Sequence, residues 1–319
     1  MKIVFMEAQS LGEDMDLSMF AQLGEVEIYE MDTPADNAKR IQDADVVVMN
    51  KIRMDEAILK DAKRLKLICV TATGTDCVDV AYAASRGIAV SNVVAYSTES
   101  VVQHTFAMLF YLWEKSRFYD DYVKSGEYSR QKGFGCYPEK FHELAGKTWG
   151  IIGMGNIGRR VAQIASCFGC RVLYYSTTGV ERQEDFARVE WDVLLQESDV
   201  ISIHAPLNDA TRELINAEAL RQMKKTAVLL NLGRGGIVSD ADLVEALESG
   251  EIAAAGLDVL NGEPIWLDNP LNRIKDSQKL YITPHIAWAT VEARTRCVQE
   301  VFENIRSYQN GIVRNAVKA

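Results

Sequence analysis

A glycine-rich segment in the middle of the chain is the first candidate for chemistry. Gly153-Met154-Gly155-Asn156-Ile157-Gly158 has the spacing G-x-G-x-x-G, and it lies between the apolar run 148–152 and a helix-favouring stretch, 159–168. In that context two glycines let the backbone turn and approach a pyrophosphate, and the third lets the helix pack on the strand. The N–H groups of the helix N-terminus would then hold the phosphates. The sequence therefore predicts a dinucleotide site, the alternative being a glycine turn in an unrelated strand–helix unit.

The residue after the next predicted strand bears on which dinucleotide is bound. Strand 171–175 is followed by Ser176, where an acidic residue would bind the adenosine ribose of NAD. No Arg or Lys follows until Arg182, so a clamp for the 2′-phosphate of NADP is not evident nearby. We therefore expect NAD(H) to be preferred and NADP(H) to be used measurably.

Three further motifs follow in the second half of the chain. They are Asn231-Leu232-Gly233-Arg234-Gly235-Gly236, then Gly256-Leu257-Asp258-Val259 with Glu263-Pro264, and then Thr283-Pro284-His285-Ile286-Ala287. In this order and spacing they resemble the D-2-hydroxyacid dehydrogenase family, and the resemblance covers essentially the whole chain. Within the family the chain is most similar to glycerate dehydrogenases, also called hydroxypyruvate reductases, in Asn50-Lys51, Ala72-Thr73-Gly74, residues 96–101 and residues 285–289.

The resemblance implies a catalytic trio of Arg234, Glu263 and His285. Reduction of a 2-oxo acid needs a hydride donor, a proton for the developing alkoxide and a clamp on the carboxylate, and histidine is the natural acid near neutral pH. Glu263 would fix the His285 ring and favour its protonated form. Arg234 would pair with the substrate carboxylate through two hydrogen bonds and polarise the C2 carbonyl. Taken singly, Arg234 and Glu263 are as readily explained as surface charges, and only their combination with His285 points to catalysis.

The resemblance also assigns residues that bind substrate and cofactor. Backbone N–H groups at Thr73 and Gly74 would hold the substrate carboxylate. Lys51 and Trp288 would contact the substrate, although a solvated side chain is the alternative for Lys51. Asp258 would bind the nicotinamide carboxamide, the alternative being a cap on the following turn. The other expected cofactor contacts are Gly153, Gly155, Asn156, Ile157, Gly158, Ser176, Pro206, Leu232, Gly233 and His285.

The elements that must position these residues alternate between strands and helices. Continuous apolar runs separated by helix-favouring stretches predict parallel sheets covered on both faces. We expect an α/β fold of two doubly wound parallel-sheet domains. Residues 1–98 and 289–319 would form a discontinuous, flavodoxin-like substrate-binding (catalytic) domain, and residues 99–288 a Rossmann NAD(P)-binding domain. Apolar periodicity without Gly or Pro predicts one helix of about 25 residues from Thr98 to Lys124, on which His104 would be a packed side chain.

That long helix also predicts an assembly. Its aromatic residues exceed what one side of a helix can bury within its own domain, and they are Phe106, Phe110, Trp113, Phe118 and Tyr122. We therefore expect a homodimer formed through the cofactor domains, which the family resemblance also implies.

Composition disfavours several other classes of protein. The chain has 35 basic and 45 acidic residues, a net charge of −10, which disfavours nucleic-acid binding. Its apolar runs are far shorter than the ~18 residues of a membrane span. Residues 2–6 predict a strand and not a secretory signal, and six scattered cysteines favour reduced thiols in a cytoplasm. Cys167 and Cys170 have C-x-x-C spacing without a second pair, so we interpret both as buried small residues and expect no metal.

The predicted function is the reduction of a small 2-oxo acid, hydroxypyruvate or glyoxylate, to the D-2-hydroxy acid with a nicotinamide cofactor. Within the family, 3-phosphoglycerate dehydrogenase is the alternative. An alternative of another class is a cofactor-sensing binding protein similar to a corepressor. Such relatives keep the catalytic trio, so the trio does not exclude this alternative. Consumption of NADH or NADPH when hydroxypyruvate is added discriminates the enzyme from the binding protein.

Overall fold

In the computed structural model the chain folds into two compact units. Unit 1 comprises Met1–Ser97 and Ala289–Ala319, and unit 2 comprises Thr98–Trp288. The structure describes residues 1–31, 33–135, 137–180 and 184–318, so Cys136 and Arg182 lie outside the described residues. Each unit contains a parallel sheet with helices, which confirms the predicted fold class.

Unit 1 contains a five-stranded parallel sheet of order β2-β1-β3-β4-β5. Its strands are β1 (Lys2–Phe5), β2 (Glu25–Ile28), β3 (Val46–Met49), β4 (Leu67–Val70) and β5 (Ala89–Ser91). This is the strand order of flavodoxin-like sheets, which bind ligands at the carboxyl ends of their strands. β3 and β4 are buried along their whole length because a central parallel strand has both faces covered, which explains their unbroken apolar sequences.

Unit 2 contains a seven-stranded parallel sheet of order β12-β11-β10-β9-β6-β7-β8. Its strands are β6 (Thr148–Ile152), β7 (Arg171–Tyr175), β8 (Ala187–Arg188), β9 (Val200–Ile203), β10 (Val228–Asn231), β11 (Ala254–Leu257) and β12 (Leu280–Ile282). Counted from β6, this is the Rossmann order extended by one strand. The order reverses between β6 and β9, and the glycine-rich turn follows β6 at that point.

The helices alternate with these strands. They are α1 (Asn37–Arg40), α2 (Glu56–Leu59), α3 (Val80–Ser85), α4 (Thr98–Trp113), α5 (Ser116–Lys124), α6 (Asn156–Cys167), α7 (Trp191–Glu197), α8 (Ala217–Gln222), α9 (Asp240–Ser249) and α10 (Val291–Gln309). Polar side chains fix several starts by accepting a hydrogen bond from the first turn, as Ser239 does for α9 and Thr290 for α10. Gly250 ends α9 in the left-handed conformation.

The prediction of one continuous helix over Thr98–Lys124 is wrong. α4 ends at Trp113, and Lys115 has φ 53° and ψ 37°, a left-handed conformation that stops the helix before α5 begins. The buried face of α4 ends with Trp113, whose indole N–H donates to the carbonyl oxygen of His142. α5 has no buried residue, so the core does not require the two helices to be collinear.

The interior of unit 2 contains part of the aromatic surface on which the dimer prediction was based. Phe106 and Trp113 are buried within the unit itself, and the Phe106 ring packs against Trp149 with centroids 4.9 Å apart. A single unit therefore buries more of this helix than the sequence suggested, because β6 supplies a tryptophan to pack against it. Phe110, Phe118 and Tyr122 are only partly buried.

Cys167 and Cys170 differ in their surroundings. Cys170 is buried, as expected, but Cys167 is exposed, because it is the last residue of α6 and lies on the outer side. Both are free thiols. No helix in the described residues combines the length and the apolar character needed to cross a membrane.

Candidate active site

The turn after β6 leaves space where a diphosphate could bind. A Cβ atom on Gly153 would lie 2.9 Å from the carbonyl oxygen of His204, and one on Gly158 would lie 2.1 Å from that of Gly153, so only glycine fits at both positions. A Cβ on Gly155 would meet nothing within 4 Å. Gly155 is the N-cap of α6 and has no side chain to cap the helix, so the first-turn N–H groups face this open space.

Asn156 and Ile157 are the first two residues of α6, directly after this glycine. The helix therefore starts three residues earlier than the sequence pattern indicated. Asn156 is exposed, while Ile157 is half-buried and packs on the apolar core. The start of α6, the open space at Gly155 and the two positions where only glycine fits are together compatible with a nicotinamide dinucleotide whose pyrophosphate would lie on the N-terminus of α6.

Ser176 follows β7 directly, as predicted. Its hydroxyl donates to the carbonyl oxygen of Val180 at 3.2 Å, so it belongs to a local turn. The sequence reasoning did not find Glu184, whose buried carboxylate pairs with the guanidinium of Arg159 in α6 through two hydrogen bonds of 3.0 and 2.6 Å. Arg159 directly follows the last glycine of the fingerprint, and its partner is 25 positions away, so no local pattern linked them.

His204 lies at the end of β9 beside the glycine turn. The Trp149 indole N–H donates to Ser202 Oγ at 2.9 Å, which leaves the Ser202 hydroxyl to donate to His204 Nε2 at 3.0 Å. Nδ1 of the neutral ring must then carry the hydrogen, and it is buried without a partner in the described residues. Burial lowers the pKa of His204 to about 3, so the ring is neutral. A buried donor without a protein partner at this position also fits a bound cofactor.

His285 and Glu263 are brought together, as the trio requires. Nδ1 of His285 lies 2.7 Å from Oε2 of Glu263, and Oε1 of Glu263 accepts a hydrogen bond from the backbone N–H of Leu260 at 3.1 Å. Both side chains remain partly exposed to solvent. The φ of His285 is 55°, a left-handed conformation that costs a non-glycine residue roughly 1–2 kcal/mol. Such a conformation persists only where the surrounding structure enforces it.

Asp258 helps to stabilise the left-handed backbone conformation of His285. Its carboxylate is 1% exposed and accepts hydrogen bonds from the backbone N–H groups of Ile286 and Ala287, both at 2.9 Å. Its carbonyl oxygen accepts a third from the N–H of His285 at 2.8 Å. The structure thus favours the capping alternative for Asp258, and the predicted contact with the nicotinamide carboxamide stays a prediction.

Arg234 lies in a loop that touches the turn containing Glu263. A Cβ on Gly235 would lie 2.0 Å from the carbonyl carbon of Leu260, so the two loops approach as closely as backbones can. The buried side chain of Asn231 holds the arginine loop from below, because its amide donates to the Arg234 carbonyl at 3.0 Å and accepts from the Gly233 N–H at 3.1 Å. Neither Gly235 nor Asn231 was predicted as a positioning residue, and for Gly235 only the distant Leu260 reveals the role.

Other predicted cofactor residues lie around the same strand ends. Gly233 is buried, and a Cβ there would lie 2.8 Å from the carbonyl oxygen of Ala205. Leu232 is buried in the apolar core, and Pro206 is exposed. Trp288, which was predicted to bind substrate, is half-buried and packs against the core of unit 2.

The predicted substrate residues of unit 1 follow strands β3 and β4. The Thr73 hydroxyl donates to the carbonyl oxygen of Val93 at 2.9 Å, which leaves its backbone, and that of Gly74, as the predicted anion-binding groups. Lys51 is exposed, and its backbone N–H donates to Oε2 of Glu7 at 2.9 Å. The same oxygen accepts from Asn50 and Ile52 at 2.8 and 3.1 Å. Sequence reasoning missed Glu7, because it lies more than 40 residues before this loop.

Comparison with known proteins agrees with this geometry. Residues 106–287 match the model of the D-isomer specific 2-hydroxyacid dehydrogenase NAD binding domain. The glycerate dehydrogenase of Methylorubrum extorquens is 36% identical over 319 residues, which cover 100% of this chain and 99% of that protein.

Two solved structures are similar over their whole length. D-Lactate dehydrogenase from Aquifex aeolicus, solved with NAD and lactic acid, has a TM-score of 0.84 and 29% identity, covering 98% of this chain and 96% of that one. An acyclic imino acid reductase, solved with NADPH and D-Arg, has a TM-score of 0.89 and 28% identity, covering 100% of both chains.

The Rossmann sheet, the open glycine turn and the His285–Glu263 pair define a nicotinamide-dependent oxidoreductase. The chain belongs to the D-isomer specific 2-hydroxyacid dehydrogenase family. It is a D-2-hydroxyacid dehydrogenase that acts on a CH–OH group, which confirms the family and reaction class predicted from the motifs.

Proposed function

We propose that this dehydrogenase interconverts a small 2-oxo acid, hydroxypyruvate or glyoxylate, with the corresponding 2-hydroxy acid. The similarity to a glycerate dehydrogenase over the full length of both chains supports this substrate class, because hydroxypyruvate is the 2-oxo counterpart of glycerate. The observation that carries the proposal is the 2.7 Å contact between His285 and Glu263 in a chain of this family.

In the proposed reaction His285 acts as the general acid. Because Nδ1 is bonded to Glu263, Nε2 is the nitrogen that donates a proton to the C2 oxygen of the substrate. Glu263 orients the ring and stabilises the imidazolium. Arg234 binds the substrate carboxylate and stabilises the charge that develops on the C2 oxygen. The bound nicotinamide supplies or accepts the hydride. The substrate contacts assigned to Thr73, Gly74, Lys51 and Trp288 stay predictions.

For the cofactor, we propose a preference for NAD(H) with measurable use of NADP(H). Ser176 neither binds the ribose hydroxyls as strongly as an aspartate would nor repels a 2′-phosphate. The two solved relatives were obtained with NAD and with NADPH, so the family fold is compatible with both. The cofactor contacts proposed for this chain are those predicted around the glycine turn and the ends of β9, β10 and β11.

A substrate screen tests the proposal. The purified protein is supplied with NADH or NADPH and with hydroxypyruvate, glyoxylate, pyruvate or 3-phosphohydroxypyruvate, and the loss of reduced nicotinamide is followed. We expect the highest kcat/KM with hydroxypyruvate or glyoxylate. A preference for 3-phosphohydroxypyruvate would support the phosphoglycerate alternative. No turnover with any 2-oxo acid would support the binding-protein alternative.

We also propose that the enzyme is a homodimer that pairs through unit 2. The support is a set of exposed apolar side chains that differs from the set first predicted: Phe134 is 89% exposed and Tyr137 76% exposed, and Val123 and Phe141 are exposed as well. Isolated units rarely leave so many large apolar side chains in water. Sedimentation at micromolar concentration should show twice the chain mass of 35.6 kDa, whereas a single 35.6 kDa species would contradict this proposal.

We further propose a cytoplasmic location. The described cysteines are free thiols, and Cys167 is both free and exposed, which suits a reducing compartment. Fractionation of cells that produce the tagged full chain tests this directly.

A further inference from the structure

His104 is a partly buried titratable residue that the proposed reaction does not use. It lies in α4, and its Nε2 is 3.1 Å from Oγ1 of Thr283 and 3.6 Å from Oδ1 of Asp258. Thr283 is two residues before His285 and buried, and its hydroxyl donates to Asp258 Oδ1 at 2.6 Å. A side chain of α4 therefore joins the hydrogen-bond network that leads to the proposed general acid, although 179 residues separate His104 from Thr283.

The directions of these hydrogen bonds can be assigned. A threonine hydroxyl has a single hydrogen, and that of Thr283 is donated to the Asp258 carboxylate, which can only accept. Towards His104 the Thr283 oxygen must accept, so His104 Nε2 carries a hydrogen. Burial lowers the pKa of His104 and the nearby Asp258 only partly offsets this, which leaves the ring neutral with the hydrogen on Nε2.

The network ends on the backbone of the His285 segment. Asp258 Oδ1 accepts from Thr283 and from the N–H of Ile286, and Oδ2 accepts from the N–H of Ala287. α4 makes a second contact with the same segment, because the Ser100 hydroxyl donates to the Ala287 carbonyl at 2.5 Å. These bonds surround His285, the residue whose left-handed φ of 55° needs such support.

We infer that His104 is a positioning residue for catalysis: through Thr283 and Asp258 it holds the backbone on which His285 presents its imidazole. The inference rests on the proposed role of His285 as the acid. It assigns to α4 a function beyond packing, and it explains why a histidine stands in the second turn of this helix. A leucine there would leave the Thr283 oxygen with one bond fewer and the Asp258 carboxylate less firmly oriented.

The test compares variants of the full-length enzyme with hydroxypyruvate and NADH. His104→Leu removes the N–H donor, whereas His104→Gln keeps a side-chain N–H at similar reach. We expect His104→Leu to lower kcat about tenfold with KM changed less than about twofold, because misplacing the acid affects the transition state more than substrate binding. His104→Gln should restore most of kcat. Gln103→Leu, at an exposed position of the same helix, is the matched control and should behave like the wild type.

Thr283→Val provides a second route if His104→Leu does not fold. It removes the linking hydroxyl at nearly constant shape, and by itself it should lower kcat with little change in KM, as expected for His104→Leu. Where both single variants fold, the double variant should be no slower than the slower single variant, because both break one chain of bonds. Additive losses, or wild-type kcat in His104→Leu, would overturn the inference while leaving the proposed function intact.

A readout independent of turnover separates the two proposals. Hydrogen exchange of a peptide spanning 283–290 should be faster in His104→Leu than in the wild type, while exchange of peptides from α9 stays unchanged. Unchanged exchange at 283–290 would overturn the positioning role even if the wild type reduced none of the tested acids. If the wild type reduces one of the tested acids and His285→Ala reduces it equally fast, the proposed function is contradicted instead.

Discussion

Nδ1 of His285 lies 2.7 Å from Oε2 of Glu263, and the other oxygen of that carboxylate is held by the backbone N–H of Leu260. The ring is therefore oriented by a carboxylate that is itself fixed in a turn. In the proposed reaction this leaves one nitrogen, Nε2, to exchange a proton with the substrate. Geometry of this kind lets a single histidine act as acid in one reaction direction and as base in the other.

Replacing His285 with alanine should remove the proton donor and leave the dinucleotide site intact. General acid catalysis contributes typically ~10²- to 10⁴-fold, so kcat should fall by that order. Binding of NADH, measured by its fluorescence, should stay within about twofold of wild type. The exposed His142→Ala variant is the control. Wild-type turnover in His285→Ala on every accepted substrate would assign the residue a structural role only.

Arg234→Lys should impair the enzyme more than conservation of charge suggests. An ammonium cannot span both carboxylate oxygens and also reach the C2 carbonyl, so we expect a higher KM together with a lower kcat. Arg273→Lys is a suitable comparison, because that arginine is exposed and pairs with Glu248 on the surface. If kcat/KM of Arg234→Lys equalled that of the wild type, Arg234 would lie outside the substrate site.

The sequence predicts the strands of unit 2 better than its helix ends. β6 and β7 have the predicted bounds, because each contains an apolar run that polar or turn residues interrupt at both ends. The break between α4 and α5 escaped prediction because Lys115 adopts a left-handed conformation without any glycine or proline to signal it. Backbone conformations that packing imposes leave no mark in the local sequence.

In the candidate site, too, the local sequence predicts some features and misses those that depend on distant contacts. The family motifs predict His285, Glu263 and Arg234 as catalytic residues, but they do not indicate the side chains that support the loops and helices around the predicted site. Glu7, His104 and Glu184 each contact a segment far away in the chain, and a single sequence carries no information on such pairings. Their partners become visible only when the sheet brings distant loops to one edge.

Gly235→Ala should separate the loop that contains Arg234 from the turn that contains Leu260 and Glu263. The added Cβ would lie 2.0 Å from backbone atoms of Leu260, so one loop must move, at a cost of about 1–3 kcal/mol in the free energy of unfolding. We expect a lower Tm and a loss of kcat/KM. At Gly236 a Cβ meets the flexible end of the Leu207 side chain at 3.2 Å and that of Arg212 at 3.9 Å, so Gly236→Ala should behave nearly like the wild type. Equal stability and activity of the two variants would contradict this explanation.

His204 should make the fold sensitive to acid. Burial lowers its pKa in the folded protein to about 3, whereas an unfolded histidine titrates near ~6.5. Between these values the unfolded chain binds a proton that the folded chain does not, so stability falls as the pH drops, by about 1.4 kcal/mol per pH unit. His204→Gln removes this effect and keeps an acceptor for Ser202.

The measurement for His204 is the urea midpoint as a function of pH. The stability advantage of the wild type over His204→Gln should shrink steadily as the pH is lowered from about 7 to about 4. His142→Gln, at an exposed position, should run parallel to the wild type. An advantage that does not change with pH would mean that His204 is not held neutral by the fold.

Ser176→Asp should increase the preference for NADH over NADPH. An aspartate after β7 would accept hydrogen bonds from the ribose hydroxyls of NAD and repel a 2′-phosphate, so the larger effect should be a higher KM for NADPH. Ser176→Asn has nearly the same shape as Ser176→Asp without the charge, and it should change the NADPH KM little.

In the wild type Ser176 is engaged in its local turn, and Arg159 is paired with Glu184. These residues therefore provide neither a carboxylate that repels the 2′-phosphate nor an uncommitted guanidinium that binds it. Steady-state kinetics with both reduced cofactors therefore should show a modest preference for NADH. A wild-type enzyme more than about 100-fold selective for NADPH, about 2.7 kcal/mol, would mean that a basic group reaches the phosphate and that the proposed cofactor preference is wrong.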